Sequence, residues 1–298
     1  MAVKEQVYTG TKTRARVGTA EVRRGLQWGK VGRYIAVAVV VFISVAPLYW
    51  TFATSVKSGV ELNASPPTLI PHTFSLENYI SDFGVSSFTQ DLLNSAIIAT
   101  ITTILALIVG ILCAYAIARM KFRGVGIVLA ITLSVQMIPL ISMVGPLFVF
   151  FTGAGIYNTY AALIIPDLVI SLPITVWFMT SFFRDLPPDL EEAARVDGAS
   201  RLRALWSIIV PLTAPGVFAS AILSFIAVWN DFLFGLTLTS DQAAQPVTVG
   251  VTRFAGEHTI PWGEIAAAAV IVTIPLVIVV LFLQKRIVSG LTAGAVKG

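Results

Sequence analysis

Six runs of roughly 20 mostly apolar residues dominate this sequence, at about 35–55, 93–118, 126–148, 160–183, 212–236 and 265–283. Crossing a bilayer takes about 20 apolar residues in helical form. Hydrocarbon offers no water to unpaired N–H and C=O groups, so such runs must close their hydrogen bonds internally, as helices. Composition agrees: 56% of the 298 residues are hydrophobic and 12% charged, against about 25% charged in soluble domains. The predicted class is all-α and integral to a membrane, with six transmembrane helices. The fifth run is the least clean, because "VWNDFLFG" interrupts its end. Met137-Ile138-Pro139 and Pro146 interrupt the third, and Pro166 and Pro173 the fourth. Interrupted helices can mark transport sites, and they are also common in membrane helices generally.

The basic residues set the expected orientation, since Lys and Arg accumulate in cytoplasmic loops. With the N-terminus inside, only Lys57 and Arg253 fall outside, leaving 18 of the 20 Lys and Arg on the cytoplasmic side. Residues 1–33 then form a basic cytoplasmic tail, able to touch anionic lipid, before a first span at 34–55. That tail is too long for the start of a signal peptide, so the first span is expected to be retained. Residues 56–92 and 240–264 become the large extracytoplasmic segments, and both the 184–211 loop and the 284–298 tail are cytoplasmic. The net charge of +4 marks this topology and gives no reason to expect nucleic acid.

Several chemistries lack their residues. Cys113 stands alone inside an apolar run, so no disulfide framework or paired-cysteine metal site is expected. "GLQWGKV" at 25–31 has three residues between its glycines and no Ser or Thr after Lys30, unlike a phosphate-binding P-loop. No zinc-protease or nucleophile-elbow pattern occurs. No catalytic residue, cofactor or metal ligand is therefore assigned to this chain, and any ATP and Mg would be held by another one.

The polar stretch "RDLPPDLEEAARVDGAS" at 184–200 breaks the apolar pattern. Asp189 is placed to cap a helix, with Glu192 three residues on as in a capping box. Gly198 suits a left-handed stop, and Ser200 can cap a second helix through "RLRALWSIIV". The first helix is barely two turns long, and an isolated helix below roughly 12 residues is marginal in water. Leu190, Ala194 and Asp197 fall near one face, with Ala193 beside them. On residue chemistry alone the stretch reads either as a solvated connector packed on its own bundle or as a helix laid into a partner's groove.

The spacing resembles a known family. Glu192-Ala193-Ala194, three residues, Gly198, nine residues and Ile208-Ile209-Val210-Pro211 are similar to the EAA loop of binding-protein-dependent ABC importer permeases, with Val210 where Leu is usual. "LENY" at 76–79, "FRDLPPDLEEAARVDGAS" at 183–200 within the fourth-to-fifth connection, "VWNDFLF" at 228–234 and "GLTAGAVKG" at 290–298 resemble the MalG-like carbohydrate-uptake group.

The resemblance implies a type I ABC importer permease fold, with residues 93–283 as its five-helix core, in a prokaryotic inner membrane. It implies that Glu192, Ala193, Ala194 and Gly198 couple the chain to a cytoplasmic ATPase subunit, and Leu190, Glu191 and Asp197 join them as candidates by position. It also implies a second permease subunit in a heterodimer, an extracytoplasmic sugar-binding protein facing 240–264, and a C-terminal tail reaching toward the ATPase pair. The transported solute would be a di- or oligosaccharide of the trehalose or maltose type.

Inside the membrane, a carboxylate is costly and usually faces the bundle interior or water. Asp167 reads as an acceptor for sugar hydroxyls or as a helix–helix contact. Trp229, Asn230 and Asp231 read as cavity or gate lining or as a polar helix end. Two other classes stay open at this stage: a transporter or channel working alone, and a permease of the same superfamily for phosphate, an amino acid or a peptide.

Overall fold

The computed structural model describes residues 28–84, 86–120, 123–254 and 260–295, with side chains as far as 282 except at 28, 29, 31 and 86. The tail before residue 28, the loop tip 255–259 and the side chains of 290–298, on which sequence expectations were placed, lie outside the described residues. Every regular element among the described residues is helical. The chain divides into two units, one ending at Leu48 and one starting at Tyr49.

The first unit contains most of helix α1, Trp28–Ser55. Its apolar side chains are exposed, Phe42 by 74%, as a lipid-facing helix requires. In the second unit, short helices α2 (Gly59–Leu62) and α3 (Glu77–Gly84) precede the long α4, Ser86–Arg119. Helices α5 (Val125–Val135) and α6 (Leu140–Gly153) follow, then α7, Tyr160–Asp185. The polar loop holds α8 (Asp189–Val196), α9 (Arg201–Ala204), a π-helical turn Leu205–Ile209 and α10 (Val210–Leu212). Helices α11 (Ala214–Trp229), α12 (Leu233–Leu238), α13 (Val247–Gly250) and α14 (Trp262–Ala295) complete the order, with a 3₁₀ turn Val251–Phe254 after α13.

Four helices are long and apolar enough to cross a membrane: α1, α4, α7 and α14. Two bent pairs bring the number to six if each is one span. The third run, expected as one helix over 126–148, is such a pair: α5 and α6 meet at 89°. Pro139 causes this, because it lacks an N–H and pushes the residue before it out of helical geometry. The amides at the break are satisfied by tight turns, Met137 N–H to Ser134 O at 3.0 Å and Ile138 N–H to Val135 O at 3.2 Å. The fifth run also differs from a single 212–236 helix. The segment Arg201–Leu212 meets α11 at 82°, and α11 stops at Trp229. Beyond it the Asp231 carboxylate accepts from the amides of Phe234 at 3.3 Å and Gly235 at 3.0 Å, starting α12 afresh.

Helix α4 packs on α7 and α11, and α11 packs in turn on α7 and α14. Lipid tails are as apolar as leucine, so such contacts depend on close fit between small residues. Gly110 of α4 meets Thr175 of α7, where a Cβ would stand 2.5 Å from the threonine methyl. Gly216 of α11 meets the Phe182 ring of α7 in the same way. Thr175 and Ser224 join α7 to α11 by a hydroxyl pair at 3.1 Å. One apolar cluster gathers Phe88, Ile98, Leu163, Trp229 and Phe234. A second gathers Ile111, Tyr115, Met179, Phe183, Leu205 and Ile209, and it carries the polar loop.

Candidate functional site: the α8 loop

Helix α8 forms as a short helix should, with acids Asp189, Glu191 and Glu192 in its first turn and Arg195 in its last. This order opposes the helix dipole and stabilises both ends. Its N-terminus differs from the expected capping box. Asp189 lies inside the helix, and the cap position is Pro188, whose carbonyl accepts from Glu191 N–H at 3.0 Å and Glu192 N–H at 3.2 Å. Proline's fixed φ suits a helix start, so the helix begins one residue earlier. The C-terminus follows expectation. Gly198 has φ +85°, its N–H bonds Arg195 O at 3.1 Å, and Ala199 N–H bonds Ala194 O at 2.9 Å. That pair of bonds is a Schellman motif. Ser200 then caps α9, accepting from Arg203 N–H at 3.3 Å.

A two-turn helix needs outside support, and two residues of α4 provide it. The Tyr115 hydroxyl donates to Glu191 Oε1 at 2.5 Å. Arg119 Nε lies 3.9 Å from Glu191 Oε2, and its Nη2 donates to Leu186 O at 3.0 Å just before α8. Ala194 is buried, as are Ala204, Leu205 and Ile209 of α9 and the π-helical turn on which α8 packs. The second apolar cluster holds the loop's inner side, so α8 is seated rather than suspended.

The residues left outward are Asp189, Glu192, Ala193, Arg195 and Val196, the last 88% exposed, with Leu190 at 39%. Asp197 and Gly198 are also exposed at the helix end. This differs from the face read from spacing, which grouped Leu190 with Ala194. Burial takes Ala194 inward because its small side chain lets α8 lie close on α9 and the π-helical turn. Sequence reasoning counted Arg119 only for topology and did not select Tyr115. A tyrosine near the end of an apolar run was the one signal available for it.

The intramembrane candidates are placed differently. Asp167 is 1% exposed in α7, and its Oδ1 has no hydrogen-bond partner among the described residues. Trp229 is buried, stacks on Phe225 at 5.5 Å, and donates from Nε1 to Val272 O of α14 at 3.2 Å. Asn230 is exposed at the end of α11, its amide bonded to Ile226 O at 2.7 Å. Asp231 is half-buried and holds α12, while its carbonyl accepts from Thr248 Oγ1 at 2.5 Å.

At the end of α4 remote from α8, the 240–254 segment is fastened by side chains of α4. Asn94 Nδ2 donates to Gln242 O and Gln245 O, each at 2.9 Å. Ser95 Oγ accepts from Val247 N–H at 2.8 Å. The buried Asp91 carboxylate pairs with Arg253. Asn158 adds a further tie, donating to Asp241 Oδ1 at 2.8 Å. The Asn158 bond, and then one from Ala243 N–H at 2.8 Å, hold the Asp241 carboxyl below its usual range. Among the described residues no group of three His, Cys, Asp or Glu could hold a metal ion.

Known proteins are similar to this chain. The chain is 43% identical over 267 residues to the trehalose/maltose transport system permease protein MalG of Thermococcus litoralis, covering 89% of this chain and 95% of that one. It is 38% identical over 270 residues to the sulfoquinovosyl glycerol transport system permease protein SmoH of Agrobacterium fabrum, covering 91% and 95%. Its fold superposes with TM-score 0.75 on a bacterial ABC transporter involved in alginate import, at 20% identity over 87% of this chain and 96% of that chain. The fold is that of a type I ABC importer permease. Residues 106–292, which include the whole α8 loop, match the family model for inner membrane components of binding-protein-dependent transport systems, and the chain belongs to that family.

Proposed function

We propose that this chain is one permease subunit of an ATP-driven importer that carries a sugar into the cell by alternating access. The sugar assignment follows the solutes for which the relatives are named. The α8 loop is the element that docks a separate ATPase subunit, which binds ATP and Mg. One observation carries this reading: α8 is capped at its end by Gly198 and pinned by Glu191 to Tyr115, yet leaves Glu192, Ala193 and Val196 outward. A helix fixed on one side and bare on the other fits a partner groove. Exposed acids beside small apolar residues call for a groove with basic groups and room for close approach.

The remaining assignments are part of the same reading. Both termini are cytoplasmic in this reading, which the Lys and Arg distribution supports. A second, different permease subunit completes the pore, and a sugar-binding protein meets the 240–264 segment. Asn230 stands exposed at the end of the path. Asp167 and Trp229 are closed off in this arrangement of helices, so they meet solute only after α7 and α11 separate, with Asp231 holding the α11–α12 corner.

The test is to tag the chain, extract it gently from native membranes and identify what co-purifies, with Glu192→Lys as control. An ATPase and a second permease chain, both present for the native protein and the ATPase lost in the variant, are the expected result. A chain that comes away alone overturns the reading.

A further inference from the structure

Helix α4 has 34 residues, about 50 Å at the helical rise. Near its C-terminal end, Tyr115 and Arg119 hold Glu191 of α8. Near its N-terminal end, Asn94 and Ser95 hold the 242–247 backbone. The two sets of bonds stand roughly 30 Å apart along one helix. The other described helices longer than 20 residues contain proline: Pro47 in α1, Pro166 and Pro173 in α7, Pro275 in α14. Prolines inside helices kink them and give them places to bend. Helix α4 contains none, so displacement at one end appears at the other.

We propose that α4 is a transmission rod that carries the state of α8 to the 242–250 segment, with Tyr115 and Glu191 as the positioning pair at one end and Asn94 and Ser95 at the other. The proposal rests on the reading of α8 as the ATPase-docking helix. It adds that the opposite end of the molecule senses nucleotide through one unbroken helix, not through the proline-containing α7 or α14. The polar bonds at each end matter because they resist shear. Apolar contacts alone let a helix slide, whereas a hydroxyl–carboxylate bond at 2.5 Å and a side-chain amide bridging two carbonyls keep register.

Coupling between sites is an energy that both ends feel, so it can be read at 242–250 while nucleotide is changed at the ATPase. The experiment is amide hydrogen exchange on the co-purified transporter in lipid nanodiscs, nucleotide-free and trapped with ATP, Mg and vanadate. In the native complex, exchange across 242–250 differs between the two states. In Glu191→Ala and Tyr115→Phe that difference shrinks about fivefold or more, while nucleotide-free exchange there stays as in the native complex. Simple loosening would instead raise exchange in both states. Glu191→Gln keeps an acceptor oxygen for Tyr115 and keeps the difference. If Glu191→Ala does not assemble, Tyr115→Phe, which removes one oxygen, carries the test. A difference that survives in Tyr115→Phe with the ATPase bound overturns the rod. So does a native complex whose 242–250 exchange ignores nucleotide. A native chain that brings no ATPase overturns the functional reading instead.

Discussion

Tyr115 and Glu191, 76 positions apart in sequence, meet by a 2.5 Å hydroxyl-to-carboxylate bond that fixes the polar loop to a membrane span. A hydrogen bond to a charged group contributes about 1.5–3 kcal/mol. Glu191→Ala removes this bond and the carboxylate facing Arg119, whereas Tyr115→Phe leaves Glu191 beside Arg119. We expect Glu191→Ala to cost about 2–3 kcal/mol of loop docking and Tyr115→Phe about 1.5. Limited proteolysis of the detergent-purified complex, followed at 184–200, reads this as faster cleavage in that order. Equal rates for the two variants would refute it.

Gly198 adopts φ +85°, and nothing lies within 4 Å of where a Cβ would stand. Replacement therefore meets no clash, only the cost of left-handed backbone, about 1–2 kcal/mol for ordinary L-residues. Gly198→Val should weaken ATPase co-purification clearly, and Gly198→Asn only slightly, since Asn tolerates that conformation. A milder loss for Val than for Asn would show that something other than backbone geometry governs this position.

Gly216 presents the opposite case. A Cβ there would come within 2.6 Å of the Phe182 ring carbons, and overpacking typically costs about 1–3 kcal/mol. Gly216→Ala should lower the melting temperature of the purified complex. Adding Phe182→Leu should recover part of the loss, because the obstacle is that one ring. Independent, additive losses in the double variant would place the constraint elsewhere.

Asp82 of α3 is fully buried, and neither carboxyl oxygen has a hydrogen-bond partner among the described residues. Burial, and then the negative Glu264 nearby, push it up to about 7, from about 4 for an ordinary aspartate. The folded state thus holds a proton that the unfolded state releases between about pH 4 and pH 7. Stability from this site is present in acid and is lost as pH rises through that window. Exchange of the 77–84 amides should quicken from pH 5 to 8, after correction for intrinsic chemistry. Asp82→Asn should flatten the trend, and a native segment with no such trend would rule the site out.

Asp167 is sealed in α7 with one oxygen unpartnered. If it meets solute when the helices part, Asp167→Asn should reduce sugar uptake several-fold while leaving membrane levels and ATPase co-purification intact. Unchanged uptake would remove it from the path and leave it as a packing residue.

The polar loop at 184–211 is legible in the sequence because its signals are local. Gly198 after a short amphipathic run, and Ser200 before the next, depend on neighbours three or four residues away. The start of α8 was misplaced by one residue because Asp189 and Pro188 are both good starters, and only the backbone shows which carbonyl the amides of 191 and 192 find. The break in the third run was marked by Pro139, but its 89° angle was not, since that angle depends on what α5 and α6 pack against.

By itself the sequence determined that the chain is helical and membrane-bound, where its polar loop lies, and how its basic residues divide, because hydrophobic run length, charge and local capping are short-range properties. Tertiary structure alone decided that Ala194 turns inward and Val196 outward, that Tyr115 and Arg119 support Glu191, and that Asn94 and Ser95 fasten a segment about 150 residues away. Those pairings arise when α4, α7 and α11 close on one another at Gly110, Thr175, Gly216 and Phe182. Close helix packing between residues far apart in the chain leaves no periodic trace for a reader of the sequence.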